Sequence, residues 1–374
     1  MFGALSKLFD RNFVMGYFLP VALFLIAGSA LLAGFGLWPS GADSHSFLFA
    51  PSTETSPSEN TAIGTLAPLV NTTIFAIVVW FCAVFLLAIN RFVYRTMEGY
   101  GAWNPAQVFP KLFAKREERR YNKLQGKKQS ARRSNDERLL RRLMLEEAAQ
   151  FPPERDQLLP TRFGNTLRAF EYYSWAIYGI DAVVGWNRLW AVIPKDYQDA
   201  LSEAKAQTDF WLHLWILGFL ILIGYMISAL YVICCSLAAH LYMLLFFPVV
   251  LVVPLLASLG TITAAVAWGD IVKASFDVFL PELGEKLGFP PIRTFEQERH
   301  LWWLFASATT RRNMRARKDL VEKLSAGTDL TARVQDLEEQ LRSSKAEVDD
   351  LRSQLESRRP DAQEERRSWW RRIF

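Results

Sequence analysis

The chain has 374 residues, 51% apolar, 14% aromatic and 22% charged, with 43 Lys and Arg against 38 Asp and Glu for a formal net charge of +5. These values exclude a collagen, a disulfide-stapled scaffold and a wholly disordered chain. They also hide a segregation that excludes a simple soluble domain. Residues 210–269 contain no Asp, Glu, Lys or Arg, whereas residues 111–142 hold 13 Lys and Arg against 4 Asp and Glu, a local net of +9.

A helix needs about 20 apolar residues to cross the hydrocarbon core. Four runs meet that requirement, at 13–35, 68–90, 211–234 and 241–265. In lipid the backbone must satisfy its own polar groups, so each is expected to be helical. The first run exceeds the roughly 7–15 apolar residues of a signal peptide, and Leu31 occupies the −3 position of the candidate cleavage site at Ala33, so an uncleaved anchor is expected. Residues 37–66 carry no Lys or Arg, and Arg91 and Arg95 open the basic segment after the second run. By the distribution of cations, both termini and the large middle segment face the cytoplasm, and the Ser/Pro-rich first loop and a tight 236–240 link face outward. Trp38, Trp211, Trp215 and Trp268 fall near the interfaces. Cys82, Cys234 and Cys235 form no framework or C-x-x-C pair and are read as small buried hydrophobes. The redox state of the adjacent pair is left open.

The chain thus divides into a first transmembrane pair (1–90), a basic linker and helix (91–158), an aromatic-rich helical region (159–209), a second transmembrane hairpin (210–269), a further cytoplasmic helical region (270–326), a coiled coil (327–359) and a basic-aromatic tail (360–374). Within 91–158, residues 126–135 read as a flexible basic linker. Residues 136–150 read as a helix with Leu139, Leu140, Leu143 and Met144 on one side. The basic stretch is a solvated topology determinant in the leading reading, and anionic lipid headgroups are the partner class favoured next. Nucleic acid is disfavoured, because only Tyr121 interleaves the cations.

In 159–190, Thr161 can cap a helix with Phe163, Leu167 and Phe170 on one face. Gly164 and Asn165 are poor helix-interior residues and point to close packing or a bend. Pro194 starts a helix expected to run unbroken into the third span. Arg162, Asn165, Arg168, Glu171, Asp181, Trp186 and Arg188 form the candidate partner or ligand surface. The competing reading satisfies them within the fold, with Arg168 and Glu171 paired three residues apart. The wording P-T-R-F-G-N-x-L-R-A-x-E, then Y-G-I-D-A-V, then W-x-R-L-W resembles a family of bacterial multi-span membrane proteins of unassigned function. The resemblance covers 159–209, about a fifth of the chain. It implies a bacterial cytoplasmic membrane and carries no activity.

Residues 276–291 read as a loop, on Pro281, Gly284, Gly288, Pro290 and Pro291. Thr294 and Gln297 then form a capping box for a helix with Leu301, Trp302 and Phe305. After Gly327, read as an interruption, Leu330, Val334, Leu337, Leu341, Val348, Leu351 and Leu355 recur at heptad spacing, with Ser344 in the one missing slot. Such a stripe requires a partner helix, and a second copy of the chain is the leading one, ahead of intramolecular packing and another cytoplasmic protein. Pro360 is expected to stop that helix. The tail alternates cations with apolar rings, and Trp369, Trp370, Arg371, Arg372 and Phe374 are read as a membrane-interface segment.

No phosphate-binding loop, dinucleotide fingerprint or nucleophile elbow is present, and His45, His213, His240 and His300 do not pair with Cys or Glu at metal-ligand spacing. No catalytic, cofactor or metal residue is therefore assigned, and the spans are read as uncharged. The expected architecture is an all-α polytopic membrane protein with four transmembrane helices, a helical cytoplasmic domain and a C-terminal coiled coil. The expected role is a non-catalytic, self-associating membrane scaffold or sensor. The alternative is an oligomeric channel or membrane-perturbing effector gated from the cytoplasmic side.

Overall fold

Four helices are long and apolar enough to cross a membrane: α1 (Arg11–Gly34), α2 (Thr61–Glu98), α8 (Lys195–Cys234) and α9 (Phe247–Lys286). The computed structural model describes residues 10–37, 61–100, 110–235, 238–291, 294–310 and 313–373, with side chains at 61–71, 110–111, 238–241, 310, 326–335 and 354–373 outside the description. Trp38, most of the outward loop, and residues 236–237 of the tight link lie outside the described residues, as do the side chains of Leu330, Val334, Leu355, Trp369, Trp370, Arg371 and Arg372, and Phe374 entirely. Every described regular element is helical.

The spans present large apolar side chains outward: Phe85 is 65% exposed, Ile227 64% and Val249 62%. Apolar surface on this scale requires lipid or another protein against it. Cys82, Cys234 and Cys235 share this outward surface and are exposed, which corrects their expected burial. At 40 residues, α8 is about 60 Å long, roughly twice the hydrocarbon thickness. It continues unbroken from the charged 195–209 part into the apolar run, with Pro194 at its N-cap. A 3₁₀ segment, Ala238–Phe246, leads into α9.

One compact unit comprises residues 1–176 and 181–279. Phe13, Tyr17 and Val21 of α1 pack with Val79, Ala83 and Leu86 of α2. Toward the other end, Phe35, Tyr225, Ala229, Val232 and Met243 form a second cluster. The basic segment folds as an antiparallel hairpin of α3 (Pro110–Arg133) and α4 (Glu137–Gln150), held by Leu124, Ala131, Leu143 and Phe151. The expected linker at 126–135 is thus mostly helix. Gly126 faces open space, where a missing side chain loses no packing, and Leu124 and Ala131 anchor the turns on either side. The chain reverses at Asn135, in the left-handed region at φ 54°, and Asp136 Oδ1 accepts from Leu139 N at 2.9 Å to cap α4. Of the expected apolar side of α4 only Leu143 is buried. Leu139 and Met144 are 42% and 49% exposed.

Three short helices follow, α5 (Arg162–Glu171), α6 (Tyr173–Tyr178) and α7 (Ala182–Trp190). Thr161 caps α5 as expected, accepting from Gly164 N at 2.9 Å, and Phe163, Leu167 and Phe170 are buried.

The second unit comprises residues 177–180 and 280–374. Residues 276–286, expected as loop, belong to α9. Phe276, Leu280 and Leu283 bury one continuous stripe, which outweighs the helix-breaking tendency of Pro281 and Gly284. In α10 (Phe295–Thr310), Gln297 N donates to Thr294 Oγ1 at 3.3 Å. Trp302 is fully buried, its ring centroid 4.6 Å from that of Phe289. α10 packs on the start of α11 (Met314–Ile373), where Ala316 and Leu320 are buried. α11 runs through both Gly327 and Pro360, so neither interrupts it. A single glycine costs a helix only about 1 kcal/mol. Proline removes one hydrogen bond and kinks a helix more readily than it ends a long one. The described seam residues Leu337, Leu341, Val348 and Leu351 are 53–70% exposed.

Candidate functional site

Lys205, Asp209 and His213 are spaced four residues apart and so share one face of α8. Asn90 and Tyr94 bear the same relation on α2. Between them lies α1, which adopts π-helical geometry at Val14–Phe18, a form that recurs at functional sites. Gly16 lets α1 approach closely, since a Cβ there would lie 3.2 Å from Asp209 Cβ.

The three faces enclose a continuous polar cluster. Asp209, 2% exposed, accepts from Tyr94 Oη at 2.7 Å on Oδ1, and from Tyr17 Oη at 3.1 Å and Lys205 Nζ at 2.7 Å on Oδ2. Asn90 Nδ2 donates to Tyr17 Oη at 2.6 Å. His213 has no exposed surface; its Nδ1 lies 2.7 Å from the Gly16 carbonyl and its Nε2 3.2 Å from Asn90 Oδ1. The His213 and Tyr17 rings are 4.9 Å apart, and Lys205 Nζ also lies 5.4 Å from the centre of the Tyr94 ring. Lys205 has its side chain 42% exposed, and Asn90 and Tyr94 are half-buried.

The runs read as spans, 13–35, 68–90, 211–234 and 241–265, hold no Asp, Glu, Lys or Arg, and the charged members of the cluster stand just before the third of them. Asp209 precedes the charge-free run by one residue and so looks like the last residue of the water-exposed segment. The structure instead turns it into the helix bundle. The available signal was the Lys-x₃-Asp-x₃-His spacing running into an apolar helix, with tyrosines at the ends of the two facing runs.

The residues of the expected surface have mostly internal partners. Asn165 is fully buried, accepting from Leu159 N at 2.7 Å and donating to Leu159 O at 3.0 Å and Glu117 Oε2 at 3.2 Å. Asp181 caps α7, accepting from Val183 N at 2.9 Å. Trp186 packs on Trp190 and Phe276, and Arg188 Nη1 donates to the Val184 carbonyl at 2.6 Å. Arg162 is exposed and reaches Gln150 Oε1 at 3.2 Å. Arg168 donates to Tyr100 Oη at 2.6 Å and lies 3.7 Å from Glu171. Burial, then the neighbouring Glu98 and Asp181 carboxylates, push Glu171 up to about 7 against the opposing pull of Arg168. Arg162 and Asp181 are thus exposed, and Arg168 and Glu171 half-buried.

No protein-family model, curated protein or solved structure matches the chain.

Proposed function

We propose that the chain is a non-catalytic, self-associating scaffold or sensor of the bacterial cytoplasmic membrane, with both termini and its charged helices on the cytoplasmic side. The observation that carries this reading is α11. Sixty residues of helix extend for about 90 Å, and every described residue of its heptad seam is more than half exposed. A second copy of the same stripe offers the complementary surface. The hairpin adds a cationic face, since Lys115, Arg116, Arg119, Lys123 and Lys127 are all exposed on one side of α3. That side matches anionic headgroups at about 1 kcal/mol per cation near the surface.

The test is the mass of the purified full chain in mild detergent by light scattering. Wild type is expected at a multiple of 42.8 kDa, and the double variant Leu341→Asp, Leu351→Asp at a single chain with unchanged helicity. A monomeric wild type overturns the self-association, and an oligomer indifferent to both substitutions moves it elsewhere.

A further inference from the structure

Ionisable side chains among membrane-spanning helices are costly and mark function by default. The hydrogen bonds of this cluster can be drawn in two complete ways. The Gly16 carbonyl can only accept, so His213 Nδ1 carries a proton. Nε2 faces the side-chain amide of Asn90, which has an accepting oxygen and a donating nitrogen. A half-turn of that amide exchanges the two without displacing a neighbour.

With the oxygen toward His213, Nε2 must also carry a proton, and the imidazole is a cation. Asn90 Nδ2 then donates to Tyr17 Oη, and Tyr17 donates to Asp209 Oδ2. With the nitrogen toward His213, the imidazole is neutral and accepts at Nε2. The Tyr17 hydroxyl must then turn to donate to the amide oxygen. Asp209 loses that bond and keeps Tyr94 and Lys205.

We propose that His213 is a proton-binding site within the helix bundle, and that Asn90 and Tyr17 relay its occupancy to Asp209. One proton is gained from or returned to bulk water at His213 Nε2. Along the relay only hydrogen bonds reorient. Groups on each packed helix take part: Gly16 and Tyr17 from α1, Asn90 and Tyr94 from α2, and Lys205 and Asp209 from α8 itself. The fourth span, α9, carries no charged residue before Asp270. The protonated state ties α1 to α8 through the Tyr17–Asp209 bond, and the neutral state releases it, so a pH change biases how the first span is held. The inference goes beyond the scaffold reading and holds whether or not the chain self-associates.

The experiment is solid-state NMR of the full chain in phosphatidylcholine bilayers, with nitrogen-labelled histidine and carbon-labelled aspartate, across roughly pH 5 to 9. His213→Gln and Asp209→Asn assign the signals. Nδ1 is expected to stay protonated throughout while Nε2 gains its proton as pH falls, and the Asp209 carboxyl signal shifts with the same midpoint. In Tyr17→Phe the His213 titration persists and Asp209 ceases to follow it. A single Nε2 state over the whole range overturns the proton site, and this needs no relay variant to be judged. An Asp209 signal that still follows His213 in Tyr17→Phe overturns the relay. Should that variant not fold, Asn90→Leu decides the same point.

Discussion

Gly164 stands where two helix ends meet. The Thr161 hydroxyl donates to the last carbonyls of α2, Met97 O at 2.7 Å and Glu98 O at 3.1 Å, while accepting from Gly164 N. One side chain thus joins the C-terminus of α2 to the N-terminus of α5. A methyl at Gly164 would meet the Glu98 carbonyl, with Glu98 Cα at 3.0 Å. Backbone cannot swing aside as a flexible side chain can, so Gly164→Ala is expected to cost about 1–3 kcal/mol, read as a lower thermal midpoint in detergent. Nearby, Glu171 has its folded pKa raised from 4.5 to about 7. Between those values the folded state holds more protons than the unfolded one. Stability therefore falls as pH rises through that window and levels off above it. Glu171→Gln is expected to flatten this slope and raise the midpoint at alkaline pH relative to wild type. An unchanged slope in melts across the window would assign the titration to another group.

The α3–α4 hairpin shows how elements hold against unfavourable local residues. Its small core rests on Leu143, 4% exposed, packed with Leu124, Ala131 and Phe151. Gln125 and Lys128 of α3 reach Glu147 of α4, and Glu117 accepts from Arg120 at 2.6 Å. Leu143→Ala is expected to cost about 2–5 kcal/mol. In hydrogen exchange, α3 and α4 should lose protection while the apolar part of α8 keeps it; equal loss in both would mean that the hairpin and the spans unfold together. Reading residues 126–135 as a flexible linker failed for a reason visible in this core. Propensity is a weak prior, and packing on either side of an exposed glycine overrides it. The same holds at residues 276–286, where the buried stripe of Phe276, Leu280 and Leu283 carries α9 past Pro281.

At the scale of the whole molecule, the exposed cysteines offer a direct test of the proposed orientation. In intact cells of a Cys82→Ser background, a membrane-impermeant maleimide is expected to label Cys234 and Cys235, which end α8. A cysteine introduced by Gln340→Cys into a Cys-free background, on exposed α11 surface, should react only after permeabilisation. The reverse pattern would invert the assignment made from the Lys and Arg distribution.

The four helices long and apolar enough to cross a membrane were legible from sequence, because length and the absence of charge suffice to identify them. So were the Thr161 cap, the close packing at Gly164 and the continuity from Pro194 through α8, since capping chemistry, small side chains and proline geometry act locally. The heptad spacing could be read as well, although nothing within one chain covers it among the described residues. The fate of the polar side chains was decided only by tertiary structure. Asn165 and Asp181 resemble surface residues in sequence and prove to be a buried bridge and a helix cap. Asp209 and His213 resemble the last polar residues before a span and prove to lie at the centre of its contacts. A polar residue is placed by whichever helix supplies its partner, and Tyr17 stands 192 residues from Asp209 along the chain.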